Sequence, residues 1–275
     1  MIAKTKVLSK KELAKSQGIS RSSLYYQSRL EKKDWHLKNR IELILHDNPS
    51  YGHKRIAPAL RINKKRVLRV MKKFGIKPYR RRGRKFKNTK NVARIYPNLL
   101  QLIPFPNKAN IAWASDFTRW SFHGKAVYLA TIMDIFNRKI VGRCLLNSHA
   151  VQLPLTALMN AIEKYGRPQI LHSDQGSEYT GKIYTTFADN LGIRLSMSKK
   201  GSPWENGYQE SFYSQFEVDL GDLNRFKTLG ELAVAVYQQI YYYNHQRIHT
   251  KLKMPPALFA ERQQVLTTKY ISIKV

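Results

Sequence analysis

The positive charge of this chain is crowded into its first hundred positions. Residues 1–100 hold 29 Lys and Arg against 5 Asp and Glu, a net of +24, whereas residues 101–275 hold 20 against 13, a net of +7. Like charges at that density repel one another in a single compact core, so the pattern predicts a basic, polyanion-holding part joined to a separate, nearly balanced core. Nucleic acid is the partner the charge favours; a ribosomal or membrane-surface protein is the bland alternative. The chain has 275 residues, 43% of them hydrophobic, enough for a sizeable core and too many for a disordered tail. Its one cysteine, Cys144, lies in the apolar stretch 140–146, so no intramolecular disulfide is expected, in keeping with a reducing cytoplasm. The first eleven residues are basic and lack the apolar centre of a signal peptide, and no stretch approaches the roughly 18 apolar residues a membrane span needs. A cytoplasmic, nucleoid-associated protein without a membrane partner is the expectation.

The basic half reads as helical. Ser9 with Glu12 signs a capped helix, Gly18-Ile19 a turn, and Ser20 the cap of a second helix carrying Arg21, Leu24 and Tyr25. Residues 1–35 are therefore predicted to form a helix-turn-helix that offers Arg21, Ser22 and Ser23 to a groove. A second helical DNA-binding segment is predicted over 36–76, with helices at 36–46, 53–60 and 63–74; Val67, Val70, Met71 and Phe74 turn inward and leave Lys64, Lys65 and Arg66 outside. Residues 77–106 form a basic linker whose run Arg80-Arg81-Arg82-Gly83-Arg84-Lys85 has no apolar face and suits contact along a phosphate backbone.

From residue 107 the texture changes. Strands are predicted at 111–120, 126–133 and 139–146 in an antiparallel meander, then a helix at 155–165, a strand at 169–173, a helix at 180–191 and a strand at 193–197. This order describes an α/β core over 107–220, a mixed five-stranded sheet with helices on both faces. Ser202-Pro203-Trp204-Glu205 reads as a capping box opening a helix whose buried stripe is Trp204, Tyr208, Phe212 and Phe216. Glu210 falls about 200° round that helix from Phe212 and points away from the stripe. Residues 221–275 form a helical extension, with a helix capped by Thr228 and Glu231 and a basic closing segment containing His245, Arg247 and His249.

Three acids carry the candidate chemistry. Asp116 sits inside a predicted strand, where an acid is costly without a compensating cation. Asp174 ends a strand in His172-Ser173-Asp174-Gln175-Gly176-Ser177, and Glu210 follows on a helix after 35 intervening residues. Side chains from two strands and a helix can converge at one sheet edge, and hard oxygen ligands of this kind suit magnesium or manganese. Two such ions about 3.5–4 Å apart activate an attacking oxygen and stabilise a leaving one in phosphodiester chemistry. Taken singly, Asp174 is also a turn former and Glu210 also a solvated helix residue. Asp134, Glu178 and Glu205 compete; a turn and a cap account for the first and last, and Glu178 is the nearest rival to Asp174. No nucleophile elbow, phosphate-binding P-loop or Cys–His signature is present. His245 and His249 are spaced four apart but have no second ligand pair, so zinc is rejected.

These residues in this order resemble the OrfB transposases of bacterial insertion sequences of the IS-three group, within the integrase-core superfamily shared with retroviral integrases. The resemblance covers nearly the whole chain. It is carried by Tyr51-Gly52-His53-Lys54-Arg55-Ile56, by Trp113 with Asp116 and Thr118, and by His172 through Tyr179. Lys200-Gly201-Ser202-Pro203-Trp204-Glu205-Asn206-Gly207 with Glu210-Ser211-Phe212 continues it, and Tyr243-Asn244, Arg247, His249 and Leu252 close it. The resemblance implies an RNase H-like core and a DDE transposase in which Asp116, Asp174 and Glu210 hold two magnesium ions, with manganese able to substitute. It further implies cleavage and strand transfer at the element's terminal inverted repeats, self-association on double-stranded DNA of transposon ends and target, and an upstream OrfA product or an OrfAB fusion as partner. With the charge pattern it nominates Arg21, Ser22, Lys54, Arg55, Lys64, Lys65, Arg66, Arg80, Arg81, Arg82, Arg84, Lys85, Lys199, Lys200, Arg247 and His249 as DNA contacts.

The chain departs from the family at Glu217, where members often carry Lys seven residues after the catalytic Glu; an acid there would repel phosphate or perturb metal binding. Glu205 and Gly207 replace the usual Asp and Ala. A catalytically impaired DNA-binding regulator is thus the alternative, and a nuclease acting on RNA–DNA hybrids is a third reading that leaves two helix-turn-helix segments without a use.

Overall fold

The computed structural model describes residues 9–25, 29–79, 96–199 and 202–272. Arg80, Arg81, Arg82, Arg84, Lys85 and Lys200, all expected DNA contacts, lie outside the described residues.

Helix α1, Lys10–Ser16, opens on the predicted capping box: Ser9 accepts from the Glu12 N–H and Glu12 reaches back to the Ser9 N–H. The second helix does not form as expected. Residues Arg21–Tyr25 make a 3-10 turn in which Ser20 Oγ accepts from the Ser23 N–H at 3.2 Å and meets the Ser22 hydroxyl at 2.8 Å. Serines compete with the backbone for hydrogen bonds, which favours turns over helix interiors. Helix α2 then runs over Arg29–Asp47, so the boundary expected between residues 35 and 36 falls inside a helix. Helices α3, His53–Leu60, and α4, Lys64–Lys73, pack with α2 on Leu37, Ile41, Tyr51, Ile56, Val67, Val70 and Met71. Asp34 on α2 is fully buried and clasped from α4 by both Arg69 guanidinium nitrogens, at 2.7 and 2.5 Å, and by Lys73 at 3.3 Å. Lys64, Lys65 and Arg66 remain exposed.

The expected mixed sheet is present. Strands β1, Ala112–Phe122, β2, Lys125–Asp134, and β3, Ile140–Leu146, form the antiparallel meander. After α5, Gln152–Tyr165, strand β4, Ile170–Ser173, joins β1 in parallel. Two short helices follow, α6, Ser177–Thr180, and α7, Lys182–Asn190, and then β5, Arg194–Met197, pairs with β4, giving the order β3-β2-β1-β4-β5. Alternation along the strands sends side chains to two faces. Trp113, Ala130 and Ile132 meet α5 and α7 on one face; Trp120, Leu129 and Met133 meet α8, Gly207–Leu220, and α9, Leu229–His245, on the other. Helix α5 lies so close that a Cβ built on Gly142 would fall 2.2 Å from the Ala157 carbonyl oxygen, so only glycine fits. Helix α10, Pro256–Ser272, follows α9.

One further boundary shifts. Residues 96–106, expected to be linker, belong to the core: the Leu99 N–H donates to Ser196 Oγ and the Met197 N–H to the Pro97 carbonyl. The closing segment braces the helical part. Arg247 is buried and donates to Asp219 at 2.5 Å, to Ser50 at 3.0 Å and to Gln215 at 3.1 Å; Ser50 donates to Asp219 at 2.6 Å; Arg55 donates to the Ile248 carbonyl and to Gln215; and Tyr51 accepts from the Ile248 N–H. No described helix is long and apolar enough to cross a membrane.

Candidate active site

The parallel pairing of β1 with β4 aligns two of the three candidate acids. Ala114 stands opposite His172; Asp116 lies two residues further along β1, and Asp174 two residues after His172, just past the end of β4. β4 stops at Ser173, so Asp174 enters a turn, where its Oδ1 accepts from the Gly176 N–H at 2.9 Å. A Cβ at Gly176 would fall 2.9 Å from a Glu178 carboxylate oxygen and 3.1 Å from Asp174 Oδ1, so glycine makes the turn and the two acids compatible.

Glu210 comes from α8, and two of its neighbours fix that helix to the strands around Asp116. Gln209 is fully buried and donates to the carbonyls of Ala114 and Thr131; the Tyr213 hydroxyl lies 2.8 Å from the Asp116 carbonyl oxygen and 3.1 Å from that of Leu129; Thr131 Oγ1 completes the set against both. These two pins were not read from the sequence. The expected stripe began at Trp204, which in fact lies in a 3-10 turn over Pro203–Asn206 and is 73% exposed. The buried stripe is Gln209, Phe212, Tyr213, Phe216 and Leu220. The capping box at Ser202 is also absent: its side chain caps nothing, and Glu205 instead accepts from the Lys199 N–H and from Asn98 Nδ2, both at 2.9 Å.

Asp116 meets the charge of both other acids. Burial pushes the Asp116 carboxyl up to about 8, and the charges of Asp174 and Glu210 add to the rise against the opposing Phe117 N–H. Asp174 is raised by crowding and then by Glu178, although its outer edge is exposed, and Glu210 is raised by burial. None of the three makes an ion pair with a described Lys, Arg or His. The rival Glu178 differs: burial opposes its charge, but backbone and side-chain hydrogen bonds, His149 at 2.7 Å among them, hold its carboxyl below the usual range. Asp134 is also buried, and its carboxylate takes the N–H groups of Asn110, Phe136 and Asn137 and the Trp113 indole. Glu217 has a structural duty, accepting from Trp120 Nε1 at 3.0 Å and Thr118 Oγ1 at 3.3 Å on β1.

Among the described residues no three His, Cys, Asp or Glu side chains stand close enough to grip a metal ion as they are. Asp116 and Asp174 instead each turn an oxygen to a nearby backbone N–H. The donor set still fits a hard divalent cation: three carboxylates, each raised by burial and none ion-paired with a described cation, with Asp116 raised further by the other two. Of the expected DNA contacts, Arg21, Ser22, Lys54, Lys64, Lys65 and Arg66 are exposed and Lys199 and His249 half-buried, whereas Arg55 and Arg247 brace the junction.

Parallel strands presenting unpaired acids, in a five-stranded mixed sheet between helical layers, define a polynucleotidyl-transferase type of enzyme core. Integrase core domain models match residues 106–203 and 191–256. The chain is 32% identical to the putative transposase InsK of insertion sequence IS150 from Escherichia coli strain K12, over 88% of this chain and 89% of that one. It is 33% identical to the transposase of IS904 from Lactococcus lactis, over 78% and 89%. A chain of the simian T-cell lymphotropic virus intasome bound to PP2A regulatory subunit B56 gamma shares the fold, with a TM-score of 0.51 and 16% identity over 80% of this chain and 74% of that one. The chain belongs to the integrase-core transposases of the insertion-sequence IS-three group.

Proposed function

We propose that this chain cleaves and joins DNA strands at the terminal inverted repeats of an insertion sequence, with Asp116, Asp174 and Glu210 holding two magnesium ions for which manganese can substitute. The observation that carries the reading is the lift of the Asp116 carboxyl by burial and by Asp174 and Glu210, with no described cation paired to it. Bound between these acids, divalent metal supplies the activation of the attacking oxygen and the charge stabilisation of the leaving one. The chain supplies placement. Gln209 and Tyr213 keep Glu210 in register with Asp116, and Gly176 allows Asp174 to turn at the end of β4. The exposed cations of α3 and α4, with Arg21 before them, hold the duplex of the transposon ends and the target. Copies of the chain assemble on that DNA, together with an upstream OrfA product or as an OrfAB fusion. The tie between Glu217 and β1 gives that acid a role in packing, so it does not favour an impaired regulator.

The test is strand joining by the full chain on a duplex carrying the element's end. Magnesium or manganese supports joining by the wild type. Asp174→Asn loses at least a hundredfold of it while retaining duplex affinity. Joining that survives conversion of all three acids to amides rejects the assignment.

A further inference from the structure

A second unbalanced site lies where the helical part meets the core. It is a cavity of about 320 Å³ with Arg55, Arg138, Arg247, Lys251, His249 and Ser211 in its wall, and its lining contains no carboxylate. Of the nearby acids, Asp219 pairs with one wall cation, Arg247, and with Ser50, and Asp134 takes four N–H groups, so Arg55, Arg138 and Lys251 have no ion-pair partner among the described residues. Arg138 is only 4% exposed, held in the turn between β2 and β3 with its guanidinium 4.2 Å from the centre of the Tyr208 ring, and its Nε–H has no hydrogen-bond partner among the described residues. Buried donors are almost always matched, and an unmatched one on a cation is costlier still.

The surroundings report the same excess. Burial and the neighbouring Arg247 bring the Arg55 guanidinium down to about 10. Burial and then Arg138, Arg55, Arg247 and Lys251 hold the His249 ring down to about 4, so it is neutral at neutral pH. A pocket whose wall already prevents a histidine from charging gains nothing from those cations alone; an anion would reverse the balance.

We propose that this pocket binds a phosphate group. The guanidinium fork of Arg138 matches two oxygens of a tetrahedral anion, Lys251 is a point charge at the rim, and the Ser211 hydroxyl and His249 ring are further donors. The wall's charged groups, Arg55, Arg138, Arg247 and Lys251, are all cations, which disfavours a metal or a cationic ligand. The phosphate can come from the DNA backbone or from a free phosphate compound; only the first source rests on the function proposed above.

The experiment uses the full chain, with inorganic phosphate and a short duplex as separate probes. Lys251 is exposed and touches the Phe105 ring at 4.5 Å, so Lys251→Gln should keep the fold; Arg138→Gln is the second variant and Lys125→Gln, at an exposed strand start, the control. Phosphate is expected to raise the melting temperature of wild type and control, with apparent affinity reduced about tenfold in Lys251→Gln and further in Arg138→Gln. If the backbone is the source, Lys251→Gln also makes the slope of log affinity against log salt shallower by about 1. A phosphate response with an unchanged slope assigns a free phosphate compound. Equal phosphate responses in wild type and both variants, or no response together with an unchanged slope, overturn the pocket. A chain that joins strands yet fails both arms rejects only this site, and one that takes phosphate here but binds no duplex rejects only the function.

Discussion

Two sets of acids in this molecule meet opposite surroundings. At the helical junction Asp34 faces Arg69 and Lys73, and Asp219 faces Arg247. At the sheet edge Asp116 meets the charges of Asp174 and Glu210, Asp174 meets that of Glu178, and none of the three pairs with a described cation. Residue type and burial alone do not separate the two sets; the charge opposite does. A carboxylate matched inside the protein is part of the packing, and removing it strands its partner. One left unmatched leaves its neutralisation to something outside the chain.

The largest expected effect tests the matched set. Asp219→Ala leaves Arg247 buried without its carboxylate and should cost about 3–5 kcal/mol, read by urea denaturation. Asp116→Asn should go the other way. The amide keeps an acceptor for the Phe117 N–H and removes like-charge repulsion, so the metal-free melting temperature at pH 8 rises while strand joining is lost. Destabilisation by both changes would break the contrast between the two regions.

A pH series sharpens it. The His249 ring is held down to about 4 in the fold against an ordinary value near 6.5. The unfolded chain therefore binds the proton more readily between those values, and this residue's share of stability, full above 6.5, is lost as pH falls through 4. His249→Gln should flatten the difference in that window, measured by denaturation at fixed salt. Smallest is Thr228→Ala, which removes the cap of α9 at a cost of about 1 kcal/mol, visible as a lower melting temperature with joining unchanged.

The strands and most helices were legible because their periodicities are local, and Asp116 and Asp174 stood out as candidates because each interrupts or ends an apolar strand. The register that makes them neighbours needed the β1–β4 pairing, which leaves no trace in either segment. Arg55 and Arg247 were assigned to DNA because a basic residue in a basic segment looks solvated. Their partners Gln215, Asp219 and the Ile248 carbonyl arrive from elsewhere in the chain. Ser202 and Glu205 fit a local capping rule, but Glu205 finds a better-placed pair of donors in Asn98 and Lys199. Glu217 looked like a misplaced charge until the indole of Trp120 supplied its donor.

That Glu205 contact ties two distant stretches of chain into one mechanical unit. Asn98 follows closely on the basic segment, and Glu205 stands five residues ahead of Glu210 in the turn that feeds α8. With the bonds of Leu99 to Ser196 and of Pro97 to Met197, that carboxylate makes the start of the core, the end of β5 and the root of the helix carrying Glu210 one hydrogen-bonded corner.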